Sequence, residues 1–121
     1  MILVSHGNNR IVALSTDLAW KHSFGREGTG GGEFNGPVGI AEHSGALFIA
    51  DTGNARMQVF EPGPTGCMRF MRSFGSRGDA PGQFDAPQGV AVVRGLLVVS
   101  EFYGRRLQVL TQTGVPLQAL A

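Results

Sequence analysis

Residues 34–60 read FNGPVGIAEHSGALFIADTGNARMQVF, and residues 84–110 read FDAPQGVAVVRGLLVVSEFYGRRLQVL. The second stretch begins fifty residues after the first and aligns with it without a gap. The identical pairs are Phe34/Phe84, Pro37/Pro87, Gly39/Gly89, Ala41/Ala91, Gly45/Gly95, Leu47/Leu97, Arg56/Arg106, Gln58/Gln108 and Val59/Val109. A period of about 40 to 50 residues is typical of one blade of a β-propeller. The two stretches therefore predict a repeat protein of that architecture.

An incomplete copy of the unit stands at the start of the sequence. Residues 2–11 match residues 48–57 at a shift of 46 residues. The four-residue difference falls in the loop between Leu14 and Phe24, and surface loops absorb such changes at little cost. We therefore predict one partial unit and two complete ones.

Each complete unit is predicted to form four short strands. In the middle unit these are residues 39–42, 47–51, 56–60 and 70–74. The first three have counterparts fifty residues later, and the counterpart of the fourth lies near residues 117–121. Gly45 separates the first two strands, and Thr52-Gly53-Asn54 separates the next two, where glycine and asparagine tolerate the positive φ of tight hairpins. Four strands joined by short turns predict an antiparallel meander, the repeating element of a propeller.

Composition agrees with this fold class and limits the function. The chain has 121 residues, is 42% hydrophobic and contains 19 glycines and 6 prolines, which is typical of a globular all-β protein with many turns. The formal net charge of +1 lacks the strong basic excess of many nucleic-acid-binding proteins. Cys67, the only cysteine, excludes an internal disulfide framework and favours a reducing, cytoplasmic setting. No targeting segment or membrane span is visible, so no membrane partner is predicted.

The two quoted stretches closely resemble the NHL repeat, and together they account for most of the chain. The resemblance implies an all-β fold of four-stranded antiparallel blades in a propeller commonly of six blades. We predict a partial blade at residues 1–24 and blades at residues 25–74 and 75–121, with eleven strands arranged as three, four and four. Because a closed ring needs about four to eight blades, the chain is expected to form an incomplete ring. It is further expected to belong to a longer propeller or to be a truncated product, and its open edges predict self-association.

The turn after the second strand carries the predicted structural motif. Asp51 and Arg56 flank this turn, with Asn54 inside it, and Glu101 and Arg106 occupy the equivalent positions fifty residues later. An acid and an arginine on either side of a hairpin turn can form a charge-assisted cross-strand pair. In the first unit Ser5 replaces the acid, so Arg10 is expected to lack this partner.

The predicted binding residues lie in the same turns and in the connections between blades. Phe102 and Tyr103 replace the Thr52-Gly53 of the preceding unit, and two aromatic side chains in a turn indicate either partner contact or packing over a neighbouring blade. Arg26 and Arg77 hold near-equivalent positions in successive connections. Together with Lys21, Arg69, Arg72 and Arg105 they could line part of one face, which acidic residues in the same connections interrupt.

No residue pattern predicts catalysis, a metal or a cofactor. The glycine-rich residues 28–32 lack the spacing and the lysine of a phosphate-binding loop and are interpreted as a connection between blades. His6, His22 and His43 show no paired ligand spacing, and Cys67 has no positioned base. No Ser-His-Asp set or carboxylate dyad is recognisable. Catalytic and metal-binding residues are therefore predicted to be none, although a longer parent protein could differ.

The predicted function is a non-catalytic scaffold that binds a protein partner, because loops that differ between blades on a repeated framework commonly carry recognition. The resemblance also implies a role in substrate recognition within ubiquitin-ligase proteins that carry RING and B-box modules. One cysteine cannot build those zinc modules, so such a role would belong to a parent chain. Two alternatives stay open, namely RNA binding through a basic face and a metal-dependent lyase- or lactonase-like propeller.

Overall fold

The computed structural model describes residues 2–6, 9–14, 17–18, 21–65 and 67–121, with the backbone alone for residues 2–6 and 21. These residues form three antiparallel sheets, which we number as blades in chain order. Blade 1 contains β1 (Ile2–His6), β2 (Arg10–Leu14) and β3 (Lys21–Phe24). Blade 2 contains β4 (Pro37–His43), β5 (Ala46–Asp51), β6 (Arg56–Pro62) and β7 (Met68–Phe74). Blade 3 contains β8 (Pro87–Val93), β9 (Leu96–Glu101), β10 (Arg106–Leu110) and β11 (Pro116–Leu120).

This architecture confirms the predicted fold class. Each sheet is a meander in which every strand pairs with its neighbours in sequence, and the three, four and four strands form blades of an incomplete β-propeller. Each sheet lies inside one of the segments predicted from the repeat. Within the described residues no helix is both long and apolar enough to cross a membrane.

The first hairpin of blades 2 and 3 turns through two residues with positive φ. Ser44 and Gly45 have φ of 51° and 84°, and Arg94 and Gly95 have φ of 52° and 77°. Positive φ at both central residues is the type I′ geometry, whose twist matches that of the flanking strands. The prediction of a tight hairpin at Gly45 is thus confirmed.

All four strands of blade 2 extend beyond their predicted bounds by one or two residues at one end or both. β4 begins at Pro37, where a register shift before Ile40 admits a proline at the start of the strand. β7 begins at Met68 because that side chain is buried against the core and continues the pairing with β6. Met68 belongs to the core layer between blades 1 and 2, so the extension of β7 accompanies packing that local sequence pattern does not encode.

The hydrophobic core consists of two layers, one on each side of blade 2. The layer between blades 1 and 2 contains Ile11, Phe34, Leu47, Ile49, Phe60 and Met68. The layer between blades 2 and 3 contains Phe48, Ala50, Met57, Val59, Phe84, Leu97, Val99 and Leu110. Successive side chains of β5 therefore enter opposite layers, as the alternation of a strand requires, and both faces of β5 are buried.

The innermost strands of blades 2 and 3 come into backbone contact. A Cβ atom added at Gly39 in β4 would lie 1.9 Å from the carbonyl oxygen of Gln88 in β8. Thr52 reinforces this junction, because its hydroxyl donates a hydrogen bond of 2.6 Å to the carbonyl of Pro87. Glycine at position 39 is thus a condition for the close approach of the two blades.

Candidate functional site

The connections between blades and the turn after the second strand lie at the same end of the blades, because antiparallel neighbours alternate in direction. We call this end the connection face; it comprises residues 25–36, 52–55, 75–86 and 102–105. The residues predicted to bind a partner all lie on it, namely Arg26, Arg77, Phe102, Tyr103 and Arg105.

A buried carboxylate organises the connection face of blade 2. Asp51, at the end of β5, is fully inaccessible to solvent. Its Oδ2 accepts hydrogen bonds from Asn54 (2.9 Å), Arg56 (2.9 Å) and Gln58 (3.1 Å). Its Oδ1 accepts one from the backbone amide of Asn35 (2.8 Å). Four donors around one carboxylate offset the cost of removing its charge from water.

Arg56 links this carboxylate to the preceding connection. Its Nε donates to Asp51, while its terminal nitrogens donate to the carbonyls of Thr29 (2.8 Å), Gly30 (2.9 Å) and Glu33 (2.9 Å). The planar guanidinium provides these donors in fixed directions, which lysine could not reproduce. Arg56 therefore adds side-chain hydrogen bonds to a connection whose own backbone pairing includes a short bridge between Glu27 and Phe34.

The same network recurs in blade 3. Glu101 accepts hydrogen bonds from Arg106 (2.5 Å), Gln108 (3.0 Å) and the amide of Asp85 (2.8 Å). Arg106 also donates to the carbonyls of Asp79, Ala80 and Gln83. Both ion pairs expected from the sequence, Asp51 with Arg56 and Glu101 with Arg106, are thus present, and both have a fully buried carboxylate.

Sequence reasoning missed a role for Gln58 and its counterpart Gln108. Gln58 is fully buried, donates to the carbonyl of Glu33 (2.6 Å) and accepts from the amide of Gly32 (2.9 Å). Gln108 makes the equivalent contacts fifty residues later. The available signal was a polar side chain repeated inside an apolar strand, because a buried amide is retained only where its hydrogen bonds are satisfied.

The turn asparagine distinguishes the two complete blades. Asn54 donates to Asp51 and to the carbonyl of Gly28 (2.8 Å), so it adds a further link to the connection. Gly104 holds this position in blade 3 and has no side chain to donate. The connection of blade 3 therefore lacks the bond that Asn54 supplies in blade 2.

The first blade departs further from the motif. Arg10 donates to the hydroxyl of Ser23 on β3 at 2.6 Å. The side chain of Ser5 lies outside the described residues. Arg10 thus donates a hydrogen bond to a side chain of the neighbouring strand, whereas Arg56 donates to backbone carbonyls of a connection between blades.

The glycine-rich residues 28–32 form a connection, as predicted. Three of its backbone amides donate hydrogen bonds to other groups of the protein: Gly28 to the Phe34 carbonyl, Gly30 to Glu33 Oε1 and Gly32 to Gln58 Oε1. A phosphate cradle needs such amides to be directed at the ligand. The hydrogen bonds support the structural interpretation of this stretch.

The aromatic turn, residues 102–105, differs from its counterpart in blade 2. Residues Thr52–Asn54 form a 3₁₀ turn, whereas in blade 3 the amide of Arg105 donates to the carbonyl of Glu101 at 3.1 Å. A Cβ atom at Gly53 would lie 2.6 Å from Asn35, so a large side chain would not fit the blade 2 geometry. The rearranged turn therefore accommodates two large side chains where blade 2 has none.

Phe102 and Tyr103 project from this turn into solvent. Their side chains are 60% and 69% exposed, and their ring centroids lie 5.0 Å apart in a T-shaped arrangement. Edge-to-face contact is a favoured geometry of aromatic pairs. The sequence left open whether these rings are available for contact with a partner or pack over a neighbouring blade. Among the residues that the structure describes, both rings are exposed and do not pack over a neighbouring blade.

Comparison with known proteins supports the repeat assignment. No family model matches the chain. A stretch of 57 residues, 45% of the chain, is 42% identical to human NHL repeat-containing protein 3, and 55 residues are 42% identical to the mouse protein of the same name. These matches support an NHL-repeat family. It spans 16% of the length of each of these relatives.

The connection of the first complete NHL repeat carries an exposed ion pair. Arg26 Nε lies 2.8 Å from Glu33 Oε2, and the Arg26 side chain is 80% exposed. The backbone amide of Gly30 and, next, the side chain of Arg26 hold the pKa of Glu33 below its ordinary value. Arg26 is thus engaged by a neighbouring acid and is not free to contribute its full charge to a ligand.

Arg77 is not the structural equivalent of Arg26. It forms a bridge with Phe84, as Glu27 does with Phe34, so Arg77 corresponds to Glu27. Arg77 donates to the carbonyl of Gly53 at 3.3 Å and lies 3.8 Å from Asp85. Adjacent residues of an extended segment point in opposite directions, so the one-residue offset places the two arginines in different surroundings.

The predicted basic face of the NHL repeats is only partly assembled. Arg26, Arg77 and Arg105 lie on the connection face. Lys21 and Arg69 stand near the starts of β3 and β7, at the opposite end of the blades, and Arg72 donates to the carbonyl of Gln112 in the loop before β11, also at that end. The expectation that these six cations share one face is therefore wrong, because strand direction separates them.

The residues considered for metal or nucleophilic chemistry remain scattered. His6 ends β1, His22 lies in β3 and His43 ends β4. The described part of the chain contains no group of three or more His, Cys, Asp and Glu side chains able to hold a metal ion. Cys67 is exposed in the loop between β6 and β7.

Proposed function

We propose that this NHL-repeat segment is a non-catalytic scaffold that binds a protein partner through the aromatic turn of blade 3. The observation that supports the proposal is the exposed pair Phe102 and Tyr103 on the connection face. Exposed aromatic side chains are enriched among the residues that dominate binding energy in protein interfaces. In a longer protein of the ubiquitin-ligase type, such a scaffold would select the substrate.

The supporting framework of the turn favours recognition by a rigid surface. Glu101 and Arg106 flank the turn, and their ion pair is mostly buried. The amides of Phe102 and Gly104 donate to the carbonyls of Ala86 (2.9 Å) and Asp85 (3.2 Å). A turn with these bonds presents its side chains in a defined arrangement, which lowers the entropy that binding must overcome.

The local charges favour a protein over RNA. Arg105 is exposed beside the aromatic pair, but Asp85 lies 3.8 Å from Arg77 on the same face. Binding of single-stranded nucleic acid combines stacking aromatics with a continuous positive groove. An interspersed carboxylate and a net charge of +1 are better suited to a protein surface of mixed charge.

Site-specific photo-cross-linking tests the proposal. p-Benzoylphenylalanine replaces Tyr103 in one sample and Val93 in a matched control, since Val93 is also an exposed apolar residue but is the last residue of β8, at the opposite end of blade 3. We expect a protein adduct at position 103 and not at position 93. The adduct is identified by mass spectrometry, and the identified protein is then purified.

Titration calorimetry with that protein completes the test. We expect the Tyr103→Ala chain to bind it at least about tenfold more weakly than the unmodified chain, because truncation of a residue that dominates an interface costs about 2 kcal/mol or more, and about 1.4 kcal/mol corresponds to tenfold. Affinity should change little between about 50 and 200 mM salt. Equal affinity of the two chains, or a cross-linked nucleic acid whose binding falls steeply with salt, would overturn the proposal.

A further inference from the structure

A pocket in blade 3 occupies a position that blade 2 fills with its own aromatic ring. The pocket has a volume of about 290 Å³ and is lined by Pro81, Gln108, Pro116, Leu117, Gln118 and Ala119. It lies between the connection at residues 75–86 and the outermost strand β11. This volume is close to the lower limit of ligand-sized pockets, roughly 300 Å³, so it suits a single side chain better than a large molecule.

The internal repeat shows which kind of group fits. In blade 2 the ring of Phe70 lies on Gly31, where an added Cβ atom would be 2.6 Å from the Phe70 ring. The strand register makes Pro116 the counterpart of Phe70, because Phe70 pairs with Phe60 as Pro116 pairs with Leu110. Pro81 likewise replaces Gly31. Blade 3 therefore has two proline side chains bordering a pocket at the site where blade 2 contains a phenylalanine.

The floor of the pocket offers little for a polar ligand. Gln108 is fully buried, and its amide already donates to Gln83 and Glu101 and accepts from Gly82. A polar group placed against Gln108 would lose hydrogen bonds to water without gaining one from this amide. An apolar ring is thus the occupant that the lining favours.

The edge beside the pocket can pair with another strand. β11 is the last strand in the order of its sheet, and all five of its residues are exposed. Natural proteins commonly protect such edges with charged side chains, as Arg69 and Arg72 do on β7. Residues 107–121 contain no charged side chain at all. Because no charged side chain on this edge would be buried by a pairing strand, the edge can pair with an extended segment that is itself uncharged.

We propose that β11 and the adjoining pocket bind an extended, uncharged peptide segment, which pairs with the strand edge and places an aromatic side chain between Pro81 and Pro116. Pairing supplies main-chain hydrogen bonds, and the pocket supplies selectivity for one side chain. This site lies apart from the aromatic turn, so it does not depend on the function proposed above.

The test uses two blocked peptides and the whole chain. The probes are N-acetylated, amidated heptapeptides Thr-Val-Thr-Phe-Thr-Val-Thr and Thr-Val-Thr-Ala-Thr-Val-Thr, titrated against the ¹⁵N-labelled chain by NMR. We expect saturable shifts of the amides of residues 117–120 with the phenylalanine peptide. The alanine peptide should bind at least about tenfold more weakly, because it lacks the apolar surface that the pocket would bury.

Two variants fill the pocket by different routes. Pro81→Gly combined with Pro116→Phe rebuilds the arrangement of blade 2, and Ala119→Leu adds volume from an exposed strand position that does not disturb the core. Each should abolish the preference for the phenylalanine peptide, and Ala119→Leu keeps the test valid if the double variant does not fold. Phe102→Ala, in the aromatic turn, should leave peptide binding unchanged.

Three results would overturn the proposal. The first is the absence of saturable shifts near β11, and the second is equal binding of the two peptides. The third is a dependence on protein concentration, without peptide, of the amide shifts of residues 117–120 that persists in the Leu107→Glu chain, which would assign the β11 edge to a second copy of the chain.

Discussion

Asp51 and Glu101 are acids without solvent contact, and each is held by an arginine that also binds the preceding connection. Removing one partner of such a pair leaves the other as a buried charge without its counter-ion, which strongly destabilises the fold. Deleting the acid leaves a guanidinium that is only 13% exposed in blade 2 without its counter-charge. We therefore expect substitutions of these two acids to cause the largest losses of stability.

Asp51→Ala is expected to lower the free energy of unfolding by about 3–5 kcal/mol, the usual cost of breaking a buried ion pair on one side. Urea denaturation followed by circular dichroism measures this change. Asp51→Glu is the matched control and should cost less, since Glu101 performs the same function in blade 3. A loss below about 1 kcal/mol for the alanine variant, which is typical of exposed pairs, would contradict the assigned role.

Glu33→Gln tests an acid whose pKa is lowered by its neighbours. The amide of Gly30 and the side chain of Arg26 lower the pKa of Glu33 in the folded chain. Its contribution to stability is therefore complete above the ordinary glutamate pKa and is lost as the pH falls through the lower folded value. Urea midpoints measured from neutral pH down to acid pH should fall less steeply for the variant than for the unmodified chain.

The equivalent connection of blade 3 already carries a glutamine at the position of Glu33. Gln83 holds the position of Glu33 in blade 3 and accepts from the amide of Ala80 at 3.2 Å, as Glu33 does from Gly30. Glu33→Gln should therefore fold. Identical pH profiles for the two chains would show that the ion pair with Arg26 contributes nothing to acid sensitivity.

At the scale of elements, the contact between β4 and β8 sets the distance between blades 2 and 3. Gly39 has no side chain to keep the carbonyl of Gln88 away, and the hydroxyl of Thr52 bonds to Pro87 beside it. These strands meet through backbone atoms, so the junction has little freedom to adapt. A single methyl group tests this geometry.

Gly39→Ala is expected to destabilise the chain by about 1–3 kcal/mol, because the added Cβ atom would overlap a backbone oxygen and force the strands apart. Thermal and urea unfolding measure the effect. Val38→Ala, at an exposed neighbouring position of β4, is the control and should change stability by less than about 0.5 kcal/mol. Equal stability of the two variants would show that β4 and β8 can separate freely.

At the scale of the whole molecule, blade 3 has one covered face and one open face. Phe48, Ala50, Met57 and Val59 of blade 2 are fully buried, whereas their counterparts Val98, Ser100, Leu107 and Val109 are at least partly exposed. The open face of blade 3 is therefore equivalent to the face of blade 2 that forms the core layer against blade 3. Exposed apolar sheet surface of this kind favours association.

Leu107→Glu is expected to reduce self-association of the chain, because it places a charge at the centre of the open face, where Leu107 is 41% exposed. Light scattering over a range of protein concentrations measures the average mass. Val38→Glu introduces the same charge at an exposed apolar position of β4 and should leave association unchanged. A mass that is independent of concentration in the unmodified chain would contradict the expected association.

Several features of the protein were determined by the sequence alone. The fifty-residue repeat predicted the blades and the strand order, because every unit carries the same alternation of apolar runs and turns. The pairs Asp51/Arg56 and Glu101/Arg106 were also predictable, because their members are five residues apart across one hairpin. Information of this kind is local, so pattern and spacing suffice to find it.

Only the tertiary structure decided the remaining contacts. The carbonyl that Gln58 binds belongs to Glu33, 25 residues earlier, and the close approach at Gly39 involves a different blade. The pocket at Pro116 depends on how that connection packs against the outermost strand. These features arise from the distance between chain segments that are remote in sequence, and sequence pattern carries no measure of that distance.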